Sequence, residues 1–517
     1  MTVRETTLKL LRAFNMTTIF GNPGSTELPM FRNFPQDFRY VLGLQESVVV
    51  GMADGYAQAT RNAAFVNLHS AVGVGHAMGN IFTAYKNRTP LVITAGQQAR
   101  SILPYEPFLF SDQATELPKP YVKWSYEPAR AEDVPAAIAR AYYMAMQPPR
   151  GPTFVSVPVD DWDRPCAPVE PRQVSTSVRG DPSMLEDAAR QLSTAERPVI
   201  VVGAAVARED AWDEVIALAE RHQAKVWVSP LSARNSFPED HVLFAGFLAA
   251  DREKIVHDLS GHDLILVLGA PVFTYHVEGF GEHVPAGARI IQMIDDPSMA
   301  SWTPVGTSIL TSMRLGIAEL LAGPSPGTRR APQRLARPPR ISGSALSDQY
   351  LLQQIAALRT RDSIIVEEAP STRGPMHDYL PILERDTFYT CASGGLGHAL
   401  PAAIGISLAQ PHKKVIAILG DGSSMYAIQG LWSAAQLRLP ITFVIVNNRG
   451  YEALVRFGQH FGLDQSIGTS LPNIDFCAIA QGQGCKATRV DRAEALDDAL
   501  RTAFAAVEPT LLEVIIE

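Results

Sequence analysis

Asp421 and Asn448 lie 27 residues apart, each at the end of an apolar run: Ile416-Ala-Ile-Leu-Gly-Asp-Gly-Ser-Ser424 and Val444-Ile-Val-Asn-Asn-Arg-Gly450. A carboxylate, an amide oxygen and a backbone carbonyl in the turn at Arg449-Gly450 are hard oxygen donors. They suit magnesium, which keeps further positions for phosphate oxygens. Gly420 and Gly422 would let the backbone approach a diphosphate closely, and a helix beginning near Ser424 aims its N-terminus at the same place. Taken singly, either cluster is also what an ordinary strand-ending turn looks like, because Gly, Asn and Asp dominate turns.

What gives the spacing meaning is the unit between them. Val415 to Leu419 and Ile441 to Val446 are β-branched enough for fully buried parallel strands, and Tyr426 to Leu437 has helical spacing with Leu431, Trp432 and Ala435 on one side. A right-handed crossover lays the strands beside one another or nearly so, bringing Asp421 and Asn448 together at the carboxyl ends, where open α/β sheets bind ligands. The same rhythm fills the chain. Residues 1–165 alternate strands (Thr17 to Phe20, Phe38 to Leu44, Phe65 to Leu68, Pro90 to Gly96, Pro152 to Pro158) with helices, one of them a small-residue helix from about Gly75 to Lys86. A second block, 183–322, has strands at Pro198 to Gly203, Lys225 to Val228, Leu264 to Gly269 and Arg289 to Ile294, without the Gly-x-Gly-x-x-Gly of a dinucleotide site. The third is 344–517. Proline-rich linkers, 166–182 and 323–343, separate the blocks, and the second is expected to run exposed over the surface. The expected fold is α/β, with three doubly wound parallel-sheet domains.

A net charge of −8 and a pI near 5.9 argue against a nucleic-acid or acidic-membrane partner. The charged start, Met1 to Arg12, reads as an amphipathic helix, and no apolar run reaches membrane-spanning length. Cys166, Cys391, Cys477 and Cys485 lack Cys-x-x-Cys spacing and read as reduced thiols of a cytoplasmic protein, neither zinc-bound nor disulfide-linked.

Gly-Asp-Gly followed by Asn-Asn after a gap in the high twenties resembles the thiamine-diphosphate motif. Together with Gly21-Asn-Pro-Gly-Ser25, Glu46, His69, Tyr275-His276 and Gly394-Gly-Leu-Gly397, it makes nearly the whole chain similar to the benzoylformate decarboxylase family of 2-oxo acid decarboxylases. The resemblance implies thiamine diphosphate and magnesium as cofactors. Asp421, Asn448 and the Gly450 carbonyl would hold the metal. Gly394, Leu396, Gly420, Asp421, Gly422, Ser423, Asn448, Gly450 and Tyr451 would form the cofactor-binding set, with Leu396 under the bent cofactor and the Gly394 carbonyl accepting from its amino group. Glu46, which on its own reads as a residue capping the next helix, would hydrogen-bond the pyrimidine ring and share a proton with it, helped by an apolar setting. Ser25, His69 and His276 would bind the carboxylate and oxyanion and relay protons. Each of the three, taken alone, is also an ordinary turn serine or structural histidine.

The substrate end departs from the family pattern. Thr390 stands where a phenylalanine is usual and Glu452 where a glycine is expected, while Phe108, Leu109 and Phe457 match apolar lining positions. The expected reaction is non-oxidative decarboxylation of an aryl 2-oxo acid, benzoylformate to benzaldehyde and carbon dioxide. Alternatives are a decarboxylase of branched or arylalkyl 2-oxo acids, an aldehyde-ligating thiamine-diphosphate lyase, or a cofactor-binding protein without turnover. The resemblance also implies a homo-oligomer, a dimer sharing its active sites within a tetramer.

Overall fold

The computed structural model describes residues 1–343 and 345–516, so the expected block limits at 344 and 517 fall outside the described residues. Its strands gather into three six-stranded sheets with parallel pairings. The first holds β1 (Thr18–Gly21), β2 (Arg39–Leu42), β3 (Ala64–Leu68), β4 (Leu91–Gln97), β5 (Ser125–Tyr126) and β6 (Pro152–Pro158), in the order β2-β1-β3-β4-β6-β5. The second holds β7 (Pro198–Val202), β8 (Lys225–Val228), β9 (Phe244–Phe247), β10 (Leu264–Leu268), β11 (Arg289–Ile294) and β12 (Thr307–Leu310), in the order β12-β11-β10-β7-β8-β9. The third holds β13 (Ile364–Glu368), β14 (Phe388–Thr390), β15 (Val415–Gly420), β16 (Ile441–Asn447), β17 (Lys486–Val490) and β18 (Thr510–Ile515), in the order β14-β13-β15-β16-β18-β17. Central strands such as β4, β10 and β16 are buried at every position, as their continuous apolar runs require.

The chain forms two compact units. One comprises Met1–Val174, Ile341–Pro375 and Ser393–Glu517, and the other Ser175–Arg340 and Met376–Ala392. In the first unit, helix Glu46–Thr60 packs on helix Ala399–Ala409. The two backbones approach so closely that a Cβ on Gly55 would lie 2.1 Å from the Ala402 carbonyl oxygen, and one on Gly405 1.9 Å from that of Met52. At the same crossing Asp54, His398 and Asn87 form a wholly buried polar cluster. Burial opposes charge on both members of the Asp54–His398 pair, yet their contact holds the Asp54 carboxyl below its ordinary range and raises the His398 imidazole above its own. This cluster ties the helix that begins with Glu46 to the residue immediately after Gly397.

In the second unit the core is aliphatic, built from residues such as Val202, Leu266, Met293 and Ile317 around Phe237. The second linker does not simply run exposed, as expected. Arg329 donates to the carbonyls of Leu192, Ser193, Ala195 and His222, closing the C-terminal ends of helices Pro182–Thr194 and Trp212–His222. Arg337 similarly donates to the Glu239 carbonyl at 2.6 Å. A guanidinium carries enough donors to fasten a segment that has no apolar periodicity of its own.

Candidate active site

β15 and β16 pair directly, Gly420 opposite Val446, so the ends that carry Asp421 and Asn448 are neighbours as the crossover requires. The Gly450 N–H donates to Asp421 Oδ2 at 2.9 Å and to Asn448 Oδ1 at 3.2 Å, and two side-chain oxygens therefore converge on one point. Asp421 Oδ1 accepts from the Gly422 N–H at 2.7 Å. Burial pushes the Asp421 carboxyl up against these backbone donors. A desolvated carboxylate beside an amide oxygen fits a divalent cation, whose charge would offset the desolvation. Of the two adjacent asparagines only Asn448 is available for this, since Asn447 is buried and donates to Glu513 Oε1 at 2.8 Å. The turn is pinned from outside by Tyr451 N–H to the Thr469 carbonyl and Leu471 N–H to the Arg449 carbonyl, both 2.8 Å.

The helix after β15 differs from the expectation. Instead of running from Tyr426 to Leu437, it breaks into a short turn, Asp421–Ser424, and a helix Gly430–Gln436. Gly422 has a different immediate reason to be glycine from the one expected: a Cβ there would lie 2.2 Å from the Tyr451 ring. Ser423 directs its hydroxyl to the Glu368 carbonyl at 2.6 Å, leaving its backbone N–H as its helix-end donor.

Gly394 and Gly397 adopt positive φ values of 70° and 94°, bracketing Leu396, which is half-buried. The N–H groups of Gly397, His398 and Ala399 donate to the carboxylate of Glu368 at 2.6, 2.8 and 2.7 Å. Burial pushes that carboxyl up despite three donors. The Gly397 carbonyl accepts from Asn80 Nδ2 at 3.1 Å, so Gly397 is held through both its N–H and its carbonyl.

Glu46 is the first residue of helix Glu46–Thr60, and Gln45 caps it by accepting from the Val48 N–H at 3.1 Å. Glu46 is 9% exposed, but its surroundings are not purely apolar. His76 Nδ1 lies 3.0 Å from Oε2, and Asn22 Nδ2 3.5 Å from Oε1. The helix that carries His76 runs from Ser70 to Asn87, starting five residues before the expected Gly75, and nothing in the sequence pairs a helical histidine with a glutamate 30 residues before it. His69 is thus the helix N-cap residue, and its ring packs on Gly24, where a Cβ would lie 2.2 Å from Cγ.

The loop Gly21 to Glu27 therefore brings Ser25, which is exposed, next in sequence to groups that hold His69. Thr26 Oγ1 lies 3.1 Å and Glu27 Oε2 2.8 Å from His69 Nδ1. Neither Thr26 nor Glu27 stood out in the sequence. A glutamate three residues after a turn glycine reads as solvated, yet this one is 1% exposed.

The remaining candidates are placed as follows. In the second unit, His276 is exposed with its N–H on the Ala250 carbonyl, and Thr390 is buried in β14 with its N–H on the Ala233 carbonyl. In the first unit, Phe108 is 87% exposed, Leu109 has φ 61°, and Phe457 stacks on Phe461 in helix Glu452–His460. Glu452 accepts from Arg456 Nε at 3.1 Å. Asp475, Cys477 and Glu513 also cluster, but Arg489 already pairs with both carboxylates, and burial pushes the Cys477 thiol up to about 11. The four cysteines are free thiols, and no helix among the described residues is long and apolar enough to cross a membrane.

Family models match three stretches of the chain: the N-terminal binding domain of thiamine pyrophosphate (thiamine diphosphate) enzymes over residues 1–116, the central domain over 185–320 and the C-terminal binding domain over 371–514. A benzoylformate decarboxylase of Pseudomonas aeruginosa is 44% identical over 519 residues, covering 99% of this chain and 98% of its own. The crystal structure of benzoylformate decarboxylase from Polynucleobacter necessarius superposes with a TM-score of 0.97 at 40% identity, covering 100% of this chain and 98% of that one. A thiamine diphosphate-dependent 4-hydroxybenzoylformate decarboxylase of Rhodococcus jostii gives 0.96 at 40% identity, covering 100% and 99%.

Proposed function

The chain belongs to the thiamine pyrophosphate enzymes, and from that premise we propose that it decarboxylates an aryl 2-oxo acid, benzoylformate to benzaldehyde and carbon dioxide, without oxidation. The observation that carries the reading is the convergence of Asp421 Oδ2 and Asn448 Oδ1 on the Gly450 N–H, in a chain 44% identical to a benzoylformate decarboxylase. Thiamine diphosphate, when bound, would supply a nucleophilic carbon and an electron sink for the decarboxylation. Asp421, Asn448 and the Gly450 carbonyl would hold a magnesium ion for the diphosphate, with Gly420, Gly422, Ser423 and Tyr451 around it. Leu396 and the Gly394 carbonyl position the ring end. Glu46 holds an exchangeable proton at the pyrimidine, Ser25 and the two imidazoles of His69 and His276 orient the substrate carboxylate and carbonyl, and an imidazole moves protons to and from the product.

The aryl preference rests on Phe108, Leu109 and Phe457, which match apolar lining positions of the family. Burying a phenyl ring in place of a methyl group is worth on the order of 2 kcal/mol, roughly thirtyfold in specificity. Carbon dioxide and aldehyde release from benzoylformate, a para-substituted benzoylformate, phenylpyruvate, a branched 2-oxo acid and pyruvate measures this directly. Benzoylformate is expected to exceed pyruvate in kcat/KM by about that factor. A wild type that prefers pyruvate or the branched acid would disprove the aryl assignment, and aldehyde ligation without carbon dioxide release would favour a lyase.

The enzyme works as a dimer in which Glu46 of one copy meets cofactor held by Asp421 of another, two dimers forming a tetramer in the cytoplasm. Large apolar side chains at the surface of the first unit offer material for such an interface: Tyr105 is 81% exposed, Phe108 87%, Phe461 71% and Ile467 96%. Mixing inactive Glu46→Gln and Asp421→Ala subunits is expected to restore part of the activity, because each hybrid dimer regains one intact site. Absence of recovery after verified subunit exchange would count against a shared site.

A further inference from the structure

We infer that Glu27 is a positioning residue for this reaction, one that fixes the proton of His69 on Nδ1 and so leaves Nε2 as the atom that takes up and returns protons. The inference rests on the reading of His69 as a proton-relaying residue. Four polar groups meet the two carboxylate oxygens of Glu27. The Gly24 N–H and His69 Nδ1 lie at 2.8 Å from Oε2, and the Gly96 N–H at 2.9 Å and Thr26 Oγ1 at 2.6 Å from Oε1. Those from Gly24, Gly96 and Thr26 are donations to Glu27, which serves them as an acceptor on both oxygens, the pattern of an ionised carboxylate. Thr26 has one hydroxyl hydrogen and commits it to Glu27, so at 3.1 Å its oxygen can only accept from His69 Nδ1. Both partners of Nδ1 are acceptors, and the nitrogen they face must carry the hydrogen.

The seat is built for this carboxylate. A Cβ on Gly96 would fall 2.1 Å from Glu27 Oε1, and one on Gly24 would strike the His69 ring, so both glycines leave the space that the two side chains fill. The imidazole is held on one edge only: its side chain remains 20% exposed, and Nε2 has no hydrogen-bond partner among the described residues. The carboxylate also faces the positive charge that His69 gains whenever Nε2 takes up a proton. A carboxylate in this place orients the ring, selects its tautomer and steadies its cation, which is how a buried acid supports a histidine base in enzymes of unrelated fold.

The test uses the enzyme loaded with thiamine diphosphate and magnesium. Nitrogen-15 spectra of histidine-labelled protein, with the His69 signals identified by their loss in His69→Asn, are expected to show neutral His69 protonated on Nδ1. Glu27→Gln places an amide where four donors converge. It is expected to lower kcat roughly a hundredfold with cofactor affinity unchanged, and Glu27→Asp to recover part of the loss. In a His69→Asn background the same Glu27→Gln change is expected to cost almost nothing more, because residues acting as a unit are not additive. A neutral His69 protonated on Nε2 would overturn the assignment, and this reading of the wild-type enzyme stands even if the Gln variant does not fold. An undiminished Glu27→Gln penalty without His69 would also overturn it, making Glu27 a brace for the loop alone. Full turnover in His69→Asn is a distinct result, since it overturns the underlying reading of His69 and with it this role for Glu27.

Discussion

An Asp421→Ala enzyme is expected to fold normally and to retain no thiamine diphosphate at concentrations that saturate the wild type, with turnover lost entirely. The carboxylate is 4% exposed and sits at the end of β15, outside the aliphatic core, so its removal leaves no large cavity. What disappears is the one anionic group whose oxygen converges with that of Asn448 on the Gly450 N–H. A diphosphate brought next to those oxygens without a cation would meet repulsion instead of coordination, so cofactor and metal are expected to bind together or not at all. Titration of thiamine diphosphate with and without magnesium, followed by calorimetry, reads this, and circular dichroism reports the fold. Chelating the metal from the wild type is expected to release the cofactor in the same way. Wild-type cofactor affinity in Asp421→Ala would remove the metal assignment.

The metal half of the site was legible in the sequence because everything that builds it is local. Two buried strands, one crossover and two strand-ending clusters place Asp421 beside Asn448 by the handedness of the connection alone. Central strands were legible for the same reason, their apolar runs being long and unbroken. The strands that escaped notice are mostly short or edge strands: β5 has two residues, and β17, Lys-Ala-Thr-Arg-Val, is largely exposed, so neither carries a clear period. β13 escaped for another reason, because it ends in Glu367 and Glu368, which are 1% and 2% exposed and look like solvated residues. Buried polar pairs between distant segments leave no trace in periodicity. Asp54 with His398, Glu368 with three N–H groups of the Gly397 turn, and Glu27 with His69 all bring together residues tens to hundreds of positions apart. Arg329 shows the same limit, since a linker arginine gives no sign in sequence that it will close two helix ends.

Glu46→Gln is expected to keep the cofactor yet slow turnover by two to four orders of magnitude, on the order of what a positioned proton-transfer group contributes. The substitution changes almost nothing but the proton. Glutamine has the same shape, can still start the helix behind the Gln45 cap, and can keep through its one amide oxygen either the contact to His76 Nδ1 or that to Asn22 Nδ2. Stability and cofactor affinity are therefore expected to match the wild type, and any loss is chemical. Exchange of the cofactor C2 proton for deuterium, followed by rapid quench, isolates the step in which Glu46 takes part and is expected to fall in parallel with kcat. His76 supplies the control. Its Nδ1 lies 3.0 Å from Glu46 Oε2, and its own side chain is 57% exposed. If His76 merely orients the carboxylate, His76→Asn is expected to cost about tenfold or less, because an amide can still donate to Oε2. If it were the group that exchanges the proton, the two substitutions would cost the same, and Glu46 would be reduced to an anchor for the ring. A C2 exchange rate in Glu46→Gln equal to that of the wild type would remove Glu46 from the mechanism, however well placed it is at the head of its helix.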